Sequence, residues 1–165
     1  MKKLNLGCGK IIKKGWVNVD IQKGDGIDKS FDFDKFPYPF QTSAFDFVLA
    51  DNVFEHLNDI PKVLDELHRI SKGNAQIEII VPYYHCKGAF NDASHKHFFN
   101  ETTFDILINP ERHYSTNAKK KFELVEQTLV PTRFGRLFPR FIRRKASYVL
   151  GEIYSEIRLV LKVLK

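Results

Sequence analysis

Short apolar runs alternate with polar turns through the first half of the chain. Leu4-Asn5-Leu6 and Val17-Asn18-Val19 read as brief strands, and a third is expected near Ile27 to Phe33, ending at Asp32 or Asp34. Ala44-Phe45-Asp46-Phe47-Val48-Leu49-Ala50 reads as a buried strand with a polar tip at Asp51-Asn52 and a helix start behind it. Asn58 or Asp59 can cap a helix with Pro61 in its first turn. Its apolar positions Ile60, Val63, Leu64, Leu67 and Ile70 follow helical spacing, and Lys72-Gly73 is expected to end it. Gln76 to Val81 reads as a strand stopped by Pro82, Thr102 to Leu107 as a helix, and Phe122 to Val130 as a strand. The C-terminus supports two patterns. Ile157, Leu159, Leu161 and Val163 alternate as in a strand, whereas Ile153, Ile157, Val160, Leu161 and Leu164 fit a helical stripe.

Chemistry enters at the strand ends. Leu4-Asn5-Leu6 runs straight into Gly7-Cys8-Gly9, and the second strand ends in Asp20. Glycines let the backbone turn sharply and leave room for a ligand, and an acid at the tip of the next strand can accept hydrogen bonds from ribose hydroxyls. This is how an α/β sheet holds the adenosine part of a nucleotide cofactor. A nicotinamide dinucleotide fits poorly. The position of its third glycine is Ile12, and Asp20 comes too early. Only Lys10 to Gly15 remain for the crossover if Trp16 joins the second strand. As helix they would span about 9 Å; extended they reach roughly 20 Å, about a strand length. The crossover is therefore extended or a single turn, which deprives a pyrophosphate of its helix N-terminus. S-adenosylmethionine has no pyrophosphate and asks less of that helix.

Four segments carry a resemblance. Leu4 to Gly9, Phe45 through Glu55-His56-Leu57, Asp65 to Gly73 and Asp92-Ala93-Ser94-His95-Lys96-His97-Phe98-Phe99 stand in the order seen in class I S-adenosylmethionine-dependent methyltransferases. The chain is most similar to their small prokaryotic, type 11-like group, well over residues 4 to 107 and loosely beyond. The resemblance implies a Rossmann-like α/β sheet, mostly parallel, with a C-terminal antiparallel hairpin; it favours the strand pattern at the C-terminus. It implies that Gly7, Cys8, Gly9, Asp20, Asp51 and Asn52 hold the cofactor and that an acid after the third strand, Asp32 in preference to Asp34, reaches the adenine. Asn5 stands where many relatives have an acid. No Asn-Pro-Pro-Tyr or Asp-Pro-Pro-Tyr follows the Phe45 strand, which argues against methylation of exocyclic base amines.

Composition narrows the rest. At 165 residues, with 43% hydrophobic residues and 15 Phe, a single domain over 1–165 with an aromatic-rich core is expected. No signal peptide or membrane span is read, and two cysteines suggest a reducing cytoplasm. The net charge of +6 mildly favours an anionic partner. Its focus is residues 133–150, read as an insertion in the terminal hairpin. There Arg133, Arg136, Arg140, Arg143, Arg144 and Lys145 interleave with Phe134, Leu137, Phe138, Phe141 and Ile142. Such a patch can meet RNA, an anionic membrane surface, or simply water.

His85, Cys86, Asp92, His95 and His97 follow the fifth strand, on the side expected for the methyl acceptor. A neutral imidazole there can act as general base, so His95 and His97 are the candidate catalytic residues. The same residue types could bind zinc or merely pin a loop; no metal is expected. His56 is given no chemical role. The expected activity is methyl transfer from S-adenosylmethionine to an unidentified acceptor, with a non-catalytic cofactor-binding module and an RNA methyltransferase as alternatives.

Overall fold

A parallel sheet needs a return path after each strand, and the computed structural model shows how this chain provides one. It describes residues 1–109 and 119–165. The strands are β1 (Lys3–Leu6), β2 (Val17–Asp20), β3 (Lys29–Ser30), β4 (Phe45–Asp51), β5 (Ser71–Pro82), β6 (Phe122–Pro131) and β7 (Tyr154–Val163). The helices are α1 (Ile60–Ile70), α2 (Thr103–Ile108) and α3 (Arg140–Ser147). The sheet order is β3-β2-β1-β4-β5-β7-β6; the first five are parallel and β7 is antiparallel to both neighbours. The expected α/β sheet with its C-terminal hairpin is therefore present.

The crossover from β1 to β2 contains no helix, as its length required. Two buried amides satisfy the backbone that a helix would otherwise satisfy. Asn18 Oδ1 accepts from Lys13 N (2.9 Å), and its Nδ2 donates to the carbonyls of Lys13 and Trp16. Asn5 Nδ2 donates to Ile11 O and to Asn18 Oδ1, both at 2.9 Å. Asn5 thus braces the short connection.

β3 is shorter than the expected strand near Ile27 to Phe33. It pairs only with Val19 and Asp20 at the sheet edge. Beyond Ser30 the chain turns its rings inward: Phe31, Phe33, Tyr38 and Phe40 form a cluster of edge-on and tilted contacts. Arg69 and Glu66 of α1 clamp this loop. Glu66 accepts from Tyr38 N (2.7 Å), and Arg69 donates to Phe40 O and Tyr38 O.

α1 begins as its sequence predicts. Asp59 caps Lys62 N at 3.1 Å, and Ile60, Val63, Leu64, Leu67 and Ile70 are all buried. Its end differs from the expected Lys72-Gly73. The helix stops at Ile70, and Ser71 already belongs to β5. The reason is tertiary: Ser43 N and Ala44 N donate to the carbonyls of Arg69 and Ile70, and Phe45 pairs with Ser71. The segment leading into β4 thus captures the last turn's carbonyls that a glycine cap would otherwise have satisfied. At the C-terminus the alternating pattern prevails, since Ile157, Leu159, Leu161 and Val163 are each fully buried between β5 and β6.

Candidate functional site

Parallel strands deliver their C-terminal ends to one edge, and the order reverses at β1, where the chain departs to β2 on one side and β4 lies on the other. Ligands of open α/β sheets bind in the crevice outside such a switch point. Here that crevice is a cavity of about 520 Å³. Gly7 and Gly9 reach it from β1, Asp20 from β2, Asp32 and Asp34 from β3, and Asn52, Val53, His56 and Leu57 from β4.

The two glycines act differently. Gly7 has φ +67°, and an added Cβ would meet Val53 Cγ2 at 2.3 Å, so it lets the turn after β1 pack against the turn after β4. Gly9, with φ +48°, has nothing within 4 Å of an added Cβ, which leaves open space on the cavity wall. Asp20 ties its end of the cavity together. Its Oδ2 accepts from Gly9 N at 2.7 Å and its Oδ1 from Gln22 N at 3.0 Å. A carboxylate has about four lone-pair sites, so Asp20 keeps capacity for a ligand hydroxyl. Asp34 is the more committed of the next pair, accepting from Asn58 N and Asn58 Nδ2. Asp32 accepts from Asp34 N and has Lys35 4.0 Å away.

Two expected cofactor residues stand outside this cavity. Cys8 is buried, its backbone N–H donating to Val19 O, and burial pushes its thiol pKa up. Asp51 lies beside a different depression with Lys3, Lys13, Trp16 and Arg158, and accepts from Asn52 Nδ2 at 2.9 Å. Asn52 itself has φ +52°, a left-handed kink at the strand end that parts its side chain from that surface and places it on the cavity wall.

A second cavity of about 580 Å³ adjoins the first and shares Asn52 and His56 with it. Glu55 comes from the 3-10 turn Phe54–His56, Pro82 and Cys86 from the end of β5, His95 from the following loop, and Thr132 and Glu156 from the hairpin. Burial pushes the Glu55 carboxyl up to about 7, against the opposing pull of its own backbone amide and of His95. Among the described residues no other residue hydrogen-bonds either of its oxygens. His95 Nδ1 lies 2.9 Å from Ala89 O, so that nitrogen carries the proton. His97 lines neither cavity; its Nε2 bonds the Leu57 carbonyl at 2.9 Å. The loop holding both is pinned from beneath, with Lys96 N and His97 N donating to Glu55 O. His85 and Cys86 are tied to Ser147 O and Ser155 O. The sequence pattern assigns His56 no chemical role and does not single out Glu55, yet both line this cavity. Their signal was a carboxylate inside the apolar run Val53-Phe54-Glu55-His56-Leu57, where burial is expected.

Comparison with known proteins bears on the domain and the fold. Residues 4–79 match the model of a methyltransferase domain family. A solved S-adenosylmethionine-dependent methyltransferase from Archaeoglobus fulgidus superposes with a TM-score of 0.63 at 17% identity, covering 98% of this chain and 85% of that one. A chain from the complex between the Haloferax volcanii Trm112 methyltransferase activator and a methyltransferase gives 0.62 at 15% identity, covering 99% and 83%. The [4+2]-cyclase SpnF gives 0.63 at 12% identity, covering 99% and 74%. No curated protein matches the chain in sequence. Residues 4–79 thus match a methyltransferase domain, and the chain as a whole has the fold of solved S-adenosylmethionine-dependent methyltransferases, which indicates S-adenosylmethionine as the cofactor. The fold likeness to a cyclase shows that the sheet alone does not decide the reaction.

Proposed function

We propose that this protein transfers a methyl group from S-adenosylmethionine to a nucleophile bound in the second cavity. The observation that carries this reading is the contact of the two cavities at Asn52 and His56. A cofactor in one and an acceptor in the other would meet there. The first cavity fits the cofactor chemically, with open space at Gly9 and the carboxylates of Asp20 and Asp32 on its wall. Its volume is that of an ordinary small-molecule site.

Gly7, Gly9, Asp20, Asp32 and Asn52 would hold the cofactor directly. Cys8 would keep the turn closed through its amide, and Asp51 would orient the Asn52 side chain. When bound, S-adenosylmethionine supplies a methyl group on a positively charged sulfur that departs as a neutral thioether. The protein's task is then alignment and exclusion of water. Of the two candidate histidines, His95 stands on the acceptor cavity, with no hydrogen bond to its Nε2 among the described residues; His97 braces the loop behind it.

We read residues 1–165 as one methyltransferase domain, with 133–150 as its basic insertion. No helix among the described residues is long and apolar enough to cross a membrane. Cys8 and Cys86 are free and buried, which supports a cytoplasmic setting. The insertion begins and ends beside Thr132 and Glu152 on the rim of the acceptor cavity. Leu137 and Phe141 are about four-fifths exposed among its arginines. Large exposed apolar side chains favour an anionic lipid surface over a merely solvated face. RNA is the competing partner.

Calorimetry with S-adenosylmethionine and S-adenosylhomocysteine tests the cofactor reading. Ligand at about 100 times its dissociation constant should add roughly 2.7 kcal/mol of stability. No heat and no melting shift with either compound would refute it. Radiolabelled methyl transfer to cell-extract fractions then separates an enzyme from a cofactor-binding module. The neighbour in complex with an activator supports running that assay with and without added extract protein.

A further inference from the structure

We propose that Glu55, His56 and His95 form a binding site for one divalent first-row transition-metal ion, zinc foremost, at the seam between the two cavities. The proposal rests on the acceptor-cavity reading for its purpose but not for its geometry. Each of the three residues brings one ligating atom to within 4.8 Å of the other two. Glu55 is 1% exposed, and neither of its carboxylate oxygens has a hydrogen-bond partner among the described residues. Burying such a group is costly unless something answers it. Among the described residues no other residue offers it an N–H or O–H; only its own backbone amide pulls on it.

The hydrogen bonds around the two rings set their tautomers. His95 Nδ1 faces Ala89 O at 2.9 Å and must donate, which leaves Nε2 with a lone pair. His56 Nδ1 is 3.0 Å from Ser94 Oγ. Ser94 spends its single hydroxyl proton on Asp92 Oδ1 at 2.6 Å, so it accepts from His56 Nδ1. His56 Nε2 is then also a lone pair. Each imidazole thus has an Nε2 lone pair available for a ligand, and both rings belong to one cluster with the Glu55 carboxyl. Each imidazole has its far nitrogen fixed by an oxygen, one directly by a carbonyl and one through a Ser–Asp relay. Metal-binding histidines are oriented in this way by the groups behind them.

Donor chemistry selects the ion. Two imidazoles and one carboxylate suit zinc or ferrous iron, whereas magnesium and calcium prefer oxygen ligands throughout. Three protein ligands are the number found in sites that keep a position open for an exogenous ligand. Glu55, His56 and His95 all border the acceptor cavity, and His56 borders the cofactor cavity as well. An oxygen or nitrogen donor in the acceptor cavity is the class of group that the open position would take.

The test uses the full chain, stripped with chelator and dialysed. Titration with zinc chloride, followed by metal analysis after a second dialysis, should give one ion per chain, and magnesium chloride should give none. Cobalt(II) chloride should produce the visible absorption of a low-coordinate site with nitrogen ligands. Glu55→Gln and His95→Asn should abolish both signals. Ser94→Ala, which only loosens His56, should weaken zinc binding by about 10–100-fold. Zinc should raise the melting temperature of the unmodified protein and not that of Glu55→Gln. Metal-free Glu55→Gln should melt no lower than the unmodified protein, because it loses only an unanswered buried carboxyl; this guards against a variant that fails to fold. Absence of stoichiometric zinc, or uptake unchanged in both ligand variants, would overturn the proposal. S-adenosylhomocysteine calorimetry on the same samples keeps the two readings apart. Heat from that ligand without zinc uptake would end the metal site and leave the methyltransferase reading standing; zinc uptake without that heat would do the reverse.

Discussion

Asp20→Asn separates the two tasks that the geometry gives this residue. Its two oxygens accept from Gly9 N at 2.7 Å and Gln22 N at 3.0 Å. Asparagine keeps one oxygen, so one of those N–H groups faces an NH2 instead. Both bonds lie at the solvent-exposed edge, where water can take over, so the loss is about 1 kcal/mol. For a chain of this size that lowers the melting temperature by roughly 2–4 °C. Cofactor binding should suffer more. A bound ribose would lose charge-assisted acceptance worth about 1.5–3 kcal/mol, or roughly 10- to 150-fold in affinity. Calorimetry with S-adenosylhomocysteine at fixed salt measures the second effect and a melting curve the first. Asp25→Asn, on the neighbouring loop and away from the first cavity, serves as control and should change neither. If Asp20→Asn melts lower but binds the ligand as tightly as the unmodified protein, Asp20 is a latch for the glycine turn and the ribose assignment is wrong.

Asn18→Ala should cost more stability than Asp20→Asn, on the order of 2–4 kcal/mol, because Asn18 is buried and its side chain meets Lys13, Trp16 and Asn5; denaturant unfolding measures it, and a cost under half that would mean the crossover holds itself. Arg69 beside Glu66 holds the Glu66 carboxyl below its ordinary 4.5, with the Tyr38 amide adding to the effect. A group lowered in the folded state contributes stability that is present above the unfolded value and lost as pH falls through the folded one. Glu66→Gln should therefore destabilise by about 1–3 kcal/mol near neutrality and flatten the stability profile below about pH 4.5; an unchanged acid limb on equilibrium unfolding would contradict the clamp. For the basic connection, Arg136, Arg140 and Lys145 are the residues to reverse to Glu, since Arg143 Nε donates to the Gly135 and Phe138 carbonyls and its loss would disturb the turn itself. The triple variant should lose sedimentation with anionic vesicles at low salt while keeping cofactor affinity; equal sedimentation would mark the patch as solvated, and salt-sensitive binding of RNA alone would move the partner to nucleic acid.

Local chemistry decided much of this protein in advance. The apolar runs at Leu4, Val17 and Phe45, the α1 stripe from Ile60 to Ile70, and the length of Lys10 to Gly15 each dictate a local outcome, because strand alternation, helical spacing and chain reach act over a few residues. So do Gly7 and Gly9, whose turn requires positive φ. Ambiguity arose wherever distant segments competed. The end of α1 was taken by the carbonyl contacts with Ser43 and Ala44. The C-terminal residues became a strand because β5 and β6 each offered an edge. Whether a strand-end residue enters a cavity was equally nonlocal. With the left-handed turn at Asn52, Asp51 and Asn52 line different surfaces although their side chains remain hydrogen-bonded. The convergence of Glu55 and His56 with His95 is beyond sequence spacing altogether. It exists because the loop after β5 folds back and hands two amides to the Glu55 carbonyl, and only that packing turns a buried acid and two scattered rings into a single cluster.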